Sequence, residues 1–143
     1  MPESMSANEP ERTATDVVRA IYDAIKRRDF EAGLALLDAG FEWSEPEHAL
    51  LGRRHHGIEE ARQAAERQLE VWEEFSVEPQ DVEAHGERVA VSVRQRARGG
   101  ASGAEVEIRI GHLWTVRAGK IIALEVFPAA EDAHRAARLP APD

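Results

Sequence analysis

The sequence predicts an α+β fold, in which helices pack against a strongly curved antiparallel sheet. In the first half of the chain, apolar residues recur at the spacing of helix turns. From Phe75 to Phe127 they alternate with polar residues, which is typical of strands, and glycine-containing breaks mark the hairpin turns. Because the helices come first and the strands follow, we expect the helices to be segregated to one face of the sheet.

The first half of the chain is expected to form three helices and one strand. Thr15 and Asp16 are good N-cap residues for the first helix. Asp29 can cap the second helix, and Gly40 ends it. Pro46 ends the strand, because proline lacks the backbone N–H that a strand ladder needs. In chain order, the elements are helix Val17–Arg28, helix Asp29–Gly40, strand Phe41–Glu45 and helix Ile58–Glu74.

The second half is expected to form an antiparallel meander and a final short helix. The strands are Phe75–Ala84, Arg88–Arg98, Ala104–Arg117 and Lys120–Phe127, and the helix is Ala130–Leu139. In each strand, the more apolar row of side chains is assigned to the face that the helices cover. The last strand is largely apolar on both rows, so it needs a second cover. We expect a partner subunit there, which predicts a homodimer through the outer face of the sheet.

Length and charge narrow the possible functions. The 143 residues suit one domain, expected over 15–139, between a disordered tail at 1–14 and a loose C-terminus at 140–143. A net charge of -9 makes nucleic acid and anionic membrane surfaces poor partners. No apolar run approaches the ~20 residues of a membrane span and no secretory signal is visible, so we expect a cytoplasmic protein. The absence of cysteine excludes disulfides and thiolate chemistry.

Four segments carry a resemblance to a known family: Val17–Arg28, the strand before Pro46, Gly57–Glu60 and His112–Ile121. Together they resemble the SnoaL-like branch of the nuclear transport factor 2-like (NTF2-like) superfamily, to which ketosteroid isomerases and polyketide cyclases are related. The resemblance implies a cone-shaped sheet wrapped against three N-terminal helices, the cystatin-like or NTF2-like fold, with a pocket inside the cone. Because this scaffold hosts both enzymes and binding proteins, the fold alone does not assign a function.

The ketosteroid isomerases of this scaffold place their general base, an aspartate, immediately before the proline. The matching residue in this sequence is Glu45. In an apolar cone, near Phe41 and Trp43, a carboxylate would have a raised pKa and could move a proton next to a carbonyl. The tyrosine of that family's oxyanion hole falls on Ile21, beside Tyr22, so the resemblance does not extend to that residue.

The second acid of that oxyanion hole falls on Gly111 or, if the hairpin is one residue shorter, on His112, which the apolar row favours. SnoaL-type cyclases use a histidine and an aspartate on the last two strands, which fall on His112 and Val126. Limonene-type epoxide hydrolases use an Arg–Asp pair that the penultimate strand does not contain. No known catalytic set of the fold is therefore complete in this sequence.

Glu45, as a base, and His112, as the proton donor or electrophile, form the candidate catalytic pair. The alternative is that Glu45 ends its strand in solvent and that His112 is a hydrogen-bonded core histidine. A set of oxygen and nitrogen ligands also resembles a metal site: Glu45, Glu47, His48, His55 and His56. Its irregular spacing favours a solvated loop instead, and we expect no metal and no cofactor.

Aromatic and aliphatic side chains on the inward rows are the candidate walls of a ligand pocket, where they could stack against a flat apolar molecule. The candidates are Tyr22, Trp43, Trp72, Val91, Val93, Ile110, Trp114, Leu124 and Val126. His48 could lie at the mouth of this pocket, with an exposed loop position as the alternative.

Three hypotheses for the function result. The preferred one is binding of a small apolar or polycyclic molecule inside the cone. The second is an isomerase, cyclase or dehydratase that uses Glu45 and His112. The third is a scaffold or assembly domain without a ligand, which requires a cone that is filled by side chains.

Overall fold

The computed structural model of the protein describes residues 13–45, 54–99 and 103–139, without the side chains of residues 68–73. The helices in these ranges are α1 (Ala14–Arg27), α2 (Phe30–Leu34), α3 (Gly57–Val71) and α4 (Ala130–Arg138). The strands are β1 (Leu37–Ser44), β2 (Arg54–His56), β3 (Trp72–His85), β4 (Arg88–Gly99), β5 (Glu105–Arg117) and β6 (Lys120–Phe127). The α+β class is confirmed. None of these helices has the length and apolar character that crossing a membrane requires.

The strands form one curved, unclosed sheet in the order β2-β1-β6-β5-β4-β3. β1 and β6 are parallel, and the other neighbouring strands are antiparallel. The short strand β2 falls in a segment that the sequence analysis assigns to a loop, and there His55 pairs with Trp43 of β1. Register shifts within the β3–β4 and β5–β6 pairs mark bulges, which bend and twist a sheet.

The first two helices are capped by side chains at their amino ends. Thr13 caps α1, and its hydroxyl accepts a 3.1 Å hydrogen bond from the backbone N–H of Asp16. The helix therefore begins at Ala14, ahead of the predicted cap at Thr15 and Asp16. Asp29 caps α2 as predicted, since its carboxylate accepts a 3.1 Å hydrogen bond from a backbone N–H of the first turn.

The second and third helices are shorter than predicted, because the following strands begin early. Leu37 already pairs with Ile121 in the parallel β1–β6 contact, so α2 ends at Leu34 rather than at Gly40. In the same way, α3 ends at Val71 rather than at Glu74, because β3 begins at Trp72.

The main core lies between α1 and the inner face of the sheet. Val17 and Val18 of α1 are almost fully buried, and so are Val89 and Val91 of β4 and Ile121 of β6. Full burial of a side chain of this size contributes about 1.5–3 kcal/mol. These contacts hold α1 across the sheet and leave its later turns to form one side of a cavity.

The C-terminal helix α4 packs on the opposite, outer face of the sheet. Its residues Ala133 and Ala137 contact Ala90 and Leu113. Gly111 permits the close approach, because a Cβ at this position would lie 2.6 Å from the Cβ of Ala133. The expectation that the helices share one face is therefore wrong for α4. This helix therefore covers part of the outer face of the sheet, for which the sequence predicts a partner subunit.

The outer face is charged where it extends beyond α4. Arg96 lies 3.2 Å from Glu107 of the neighbouring strand, and Arg98 lies 3.6 Å from Glu74. Such exposed pairs contribute at most about 1 kcal/mol each to stability. The homodimer through this face stays a prediction.

Candidate functional site

A cavity of about 730 Å³ lies between the helices α1–α3 and the inner face of the sheet. Its volume falls within the range of about 300–1,000 Å³ that is usual for small-molecule sites. Its wall is mainly apolar and includes five of the predicted residues: Trp43, Ile110, Trp114, Leu124 and Val126. Further apolar wall residues were not singled out from the sequence: Phe30, Leu34, Phe75 and Val77. These residues belong to the apolar rows of the predicted helices and strands. The spacing of apolar residues does not show which helices and strands border a cavity.

Three predicted wall residues do not belong to the wall. Val91 and Val93 are 0% and 1% exposed and belong to the main core. Tyr22 is buried too, and its hydroxyl forms hydrogen bonds with two wall residues, His112 and Trp114. His48 and the side chain of Trp72 lie outside the described residues.

Glu45 follows β1 directly and lines the cavity. Its carboxylate accepts a 2.8 Å hydrogen bond from Nε1 of Trp43, which fixes its orientation. Burial raises the pKa of Glu45, and the hydrogen bond from Trp43 opposes this effect only in part. The solvent-facing alternative for Glu45 therefore does not describe its position.

His112 lines the same cavity from β5 and is 8% exposed. Its Nδ1 lies 2.6 Å from the hydroxyl oxygen of Tyr22, and that oxygen accepts a 2.9 Å hydrogen bond from Nε1 of Trp114. Burial lowers the pKa of His112 to about 4, so the ring is neutral at pH 7. Of the two open registers, the structure directs His112 into the cavity and Gly111 towards α4.

The hydrogen bonds behind His112 fix which ring nitrogen carries its proton. Trp114 can only donate, and burial raises the pKa of Tyr22 far above its usual value, so the hydroxyl keeps its hydrogen. That hydrogen is directed to Nδ1 of His112, its neighbouring acceptor. In a neutral ring the remaining proton then lies on Nε2. Nε2 can therefore donate a hydrogen bond to a ligand in the cavity.

Charged side chains lie at the edge of the cavity. Arg62 forms a 2.7 Å ion pair with Glu31, and Arg28 donates a 2.7 Å hydrogen bond to the carbonyl oxygen of Phe75. These contacts join helices to one another and to β3 around the apolar wall. The polar groups at the edge can remain hydrated while an apolar ligand occupies the interior.

The predicted loop histidines do not form a metal site among the residues that the structure describes. In this part of the chain, no three side chains of the metal-binding types come together. The ring of His55 packs edge-on against Trp43, with 5.4 Å between ring centres, whereas Nδ1 of His56 lies 3.4 Å from Glu42. Glu47 lies outside the described residues, as does His48.

Comparison with protein families gives one match that covers most of the fold. The family described as a SnoaL-like domain matches residues 18–124, from within α1 into β6. No curated protein matches the sequence significantly.

Solved structures share the fold at low sequence identity. An NTF2-like protein from Burkholderia thailandensis is 26% identical, with a TM-score of 0.77 over 90% of this chain and 99% of that chain. TerC, co-crystallised with polyporic acid, is 22% identical, with a TM-score of 0.74 over 85% of this chain and 95% of that chain. A candidate SnoaL-like polyketide cyclase from Jannaschia is 18% identical, with a TM-score of 0.70 over 89% and 93%. The predicted NTF2-like fold is confirmed.

Proposed function

The chain belongs to the SnoaL-like domain family, and from this premise we propose that its cavity binds a small apolar or polycyclic molecule. One observation carries the proposal: an apolar cavity of about 730 Å³ is lined by two polar groups, the part-buried Glu45 and the buried His112, each oriented by its own hydrogen bond. Apolar walls with a few oriented polar groups are typical of small-molecule sites. TerC, which has the same fold, was crystallised with polyporic acid, and this supports a ligand in the cavity.

The two polar groups restrict which molecules fit. Nε2 of His112 donates a hydrogen bond, so the ligand needs an oxygen that accepts one. The rings of Trp43 and Trp114 offer faces and edges for stacking. A flat ring system with a carbonyl oxygen satisfies both requirements, whereas a hydrocarbon of the same shape leaves the Nε2 proton of His112 without an acceptor on the ligand.

A binding experiment tests this proposal directly. Anthraquinone and anthracene have nearly the same shape, but only anthraquinone carries carbonyl oxygens. We expect anthraquinone to quench the tryptophan fluorescence of the protein and to bind more tightly than anthracene. The variant Leu124→Trp, which narrows the cavity, should weaken binding, and Arg96→Ala on the outer face should leave it unchanged. Equal, unsaturable quenching in all three proteins would contradict the proposal.

A second candidate function is acid–base catalysis, which is favoured because Glu45 and His112 line one cavity. The Glu45 carboxylate would take a proton from the carbon next to a carbonyl, and the electrons of that C–H bond would form an enolate. The enolate oxygen would accept the hydrogen bond from Nε2 of His112, and Glu45 would return the proton to carbon. The raised pKa of Glu45 makes its carboxylate a stronger base than an exposed one.

Exchange of protons for deuterons separates catalysis from binding. 2-Tetralone has acidic protons next to its carbonyl, and NMR in D₂O follows their replacement. We expect the protein to accelerate this exchange and Glu45→Gln to lose the acceleration, with binding of anthraquinone retained. Saturable anthraquinone binding without any acceleration of exchange would reject catalysis and keep the binding function.

We also retain the homodimer through the outer face of the sheet as a proposal. Arg96 and Glu107 form a pair on that face that two copies could exchange across a two-fold axis. Light scattering coupled to size-exclusion chromatography measures the mass directly. A mass of one chain at micromolar concentration would exclude the dimer.

A further inference from the structure

A second group of reactive side chains lies on the outer face of the sheet, on the side opposite to the cavity. Ser92 projects from β4, Glu83 from β3 and His134 from α4, and all three line a surface depression of about 530 Å³. Ser92 Oγ lies 2.9 Å from Nε2 of His134, and Nδ1 of His134 lies 2.7 Å from Oε1 of Glu83. The side chain of His134 is 14% exposed.

A bulge in β3 brings Glu83 to this face. Pro79 pairs with Val93 and Val82 pairs with Val91, so β3 contains one extra residue between these two pairs. Glu83 consequently lies opposite Ala90, which faces outwards. A regular ladder would turn Glu83 to the inner face, because a shift of one residue exchanges the two faces of a strand.

The hydrogen bonds of Glu83 determine the proton positions on His134. Arg138, His85 and His134 all donate to this carboxylate, in that order of effect, and they hold the pKa of Glu83 far below its usual value. An ionised carboxylate only accepts hydrogen bonds, so Nδ1 of His134 carries a proton. In the neutral ring, Nε2 is then unprotonated and accepts the hydrogen of the Ser92 hydroxyl.

The arrangement has the order of a hydrolytic triad: a hydroxyl nucleophile, a base at its hydrogen, and a carboxylate that orients the base. Donors for a developing oxyanion lie beside it. Ala129, the N-cap of α4, provides no side-chain hydrogen bond to the first turn, and Ala130 and Glu131 line the same depression. A Cβ on Gly111, which pairs with Ser92, would lie 3.0 Å from the Cα of Ala130. The start of α4 is therefore close to Ser92, and its backbone N–H groups can stabilise negative charge.

We propose that Ser92, His134 and Glu83 form a second site, which hydrolyses small, uncharged carboxylic esters. Ser92 Oγ attacks the ester carbon while its proton passes to Nε2 of His134, and Glu83 stabilises the imidazolium. The tetrahedral intermediate expels the alcohol, which takes the proton from His134, and the acyl group stays on Ser92. Water, deprotonated by His134, then attacks the acyl carbon and releases the acid, and Ser92 regains its proton.

The charges around the depression select the substrate. Two of its arginines are neutralised, Arg138 by Glu83 and Arg135 by Asp132. Asp81 and Glu131 add negative charge to the wall. An anionic ester would be repelled, so an acetyl or butyryl ester is the expected size and class.

Labelling of Ser92 tests the site. A fluorophosphonate probe forms a covalent bond with an activated serine, and peptide mass spectrometry locates it. We expect the label on Ser92, together with hydrolysis of p-nitrophenyl acetate that falls at least roughly tenfold in Ser92→Ala. Ser76→Ala is the matched control: Ser76 lies on the same face in β3, and its loss should leave labelling and hydrolysis unchanged. Absence of label on Ser92, or full hydrolysis in Ser92→Ala, would overturn the proposal.

A cysteine substitution tests the same site without loss of the nucleophile. The chain contains no cysteine, so Ser92→Cys and Ser76→Cys each create a single thiol. An adjacent histidine promotes the thiolate, which is the form that reacts with iodoacetamide. We expect Cys at position 92 to react at least roughly tenfold faster at pH 7 than Cys at position 76, although position 76 is the more exposed. An equal or slower rate at position 92 would show that His134 does not activate the position.

Discussion

Two histidines, one on each face of the sheet, are held in opposite ways. In the inner cavity, Nδ1 of His112 faces the hydroxyl of Tyr22 at 2.6 Å. On the outer face, Nδ1 of His134 faces the carboxylate of Glu83 at 2.7 Å. The distances are nearly equal, but a buried phenol donates a hydrogen bond whereas an ionised carboxylate accepts one.

The partner at Nδ1 therefore decides what Nε2 can do. His112 carries its proton on Nε2 and can donate to a ligand, and burial disfavours its charged form. His134 carries its proton on Nδ1, so Nε2 can accept the proton of Ser92. The sheet thus has a hydrogen-bond donor on its inner face, from β5, and a hydrogen-bond acceptor on its outer face, from α4.

The largest expected effect is that of Gly111→Val, which displaces α4 from the outer face of the sheet. In Gly111→Val, the new side chain would overlap Ala133 and Ala130, since even its Cβ would lie 2.6 Å from the Cβ of Ala133. We expect a loss of about 3 kcal/mol in the free energy of unfolding, measured with urea, because α4 must move. Gly33→Ala is the control, as its nearest neighbour would be at 3.7 Å. Unchanged stability in Gly111→Val would show that α4 does not pack closely against β5.

The second prediction uses pH to distinguish the two histidines. Burial lowers the pKa of His112 to about 4 from 6.5, so between these pH values the unfolded chain binds a proton that the folded chain does not. Stability should therefore fall as the pH falls from 6.5 to 4, by about 3 kcal/mol for this group. His112→Gln should lose that part of the pH dependence in urea titrations, and His134→Gln should keep it. The same pH dependence in His112→Gln and the wild type would contradict the assignment.

The third prediction concerns the proton position on His112. Tyr22→Phe leaves Nε1 of Trp114 and Nδ1 of His112 without their shared partner, at a cost of about 1–3 kcal/mol. Nitrogen-15 NMR should show a proton on Nε2 alone in the wild type and a mixture of both tautomers in Tyr22→Phe. Trp114→Phe is the control, because the Tyr22 hydroxyl can still donate to His112. An Nδ1 proton in the wild type would refute the donor role of Nε2.

The sequence contains the elements of the fold and part of the inner site. The alternation of apolar and polar residues along β5 predicts that His112 faces inwards. Pro46 marks the end of the preceding strand, and Glu45 lies immediately before this proline. Both features are local, so they can be read from neighbouring residues. The hydrogen bond between Tyr22 and His112 joins positions 90 residues apart, and only the packed sheet brings them together.

The outer site was not predicted, for two physical reasons. The bulge between Pro79 and Val82 reverses the face of Glu83, and no sequence signal specified the shift in register. The face of the sheet on which α4 packs could not be predicted either, because a short helix with small residues can pack on either apolar face. The proximity of Ser92, His134 and Glu83 therefore depends on both the register of β3 and the position of α4.

The smallest expected effect is that of His134→Gln on stability. If the outer network serves chemistry, its loss should cost only about 1 kcal/mol, the usual net value of one hydrogen bond, because the Glu83 carboxylate keeps its hydrogen bonds from Arg138 and His85. α4 keeps other contacts, since Arg88 donates a 2.9 Å hydrogen bond to the carbonyl oxygen of Ala136 and Ala133 remains buried. Urea unfolding gives the global value, and hydrogen exchange of the α4 amides gives the local one. Arg135→Gln is the control, because its ion pair with Asp132 is exposed. A loss of about 3 kcal/mol with rapid exchange throughout α4 would instead assign His134 the role of fastening the helix to the sheet, and the contrast with His112 would then be one of packing rather than of proton transfer.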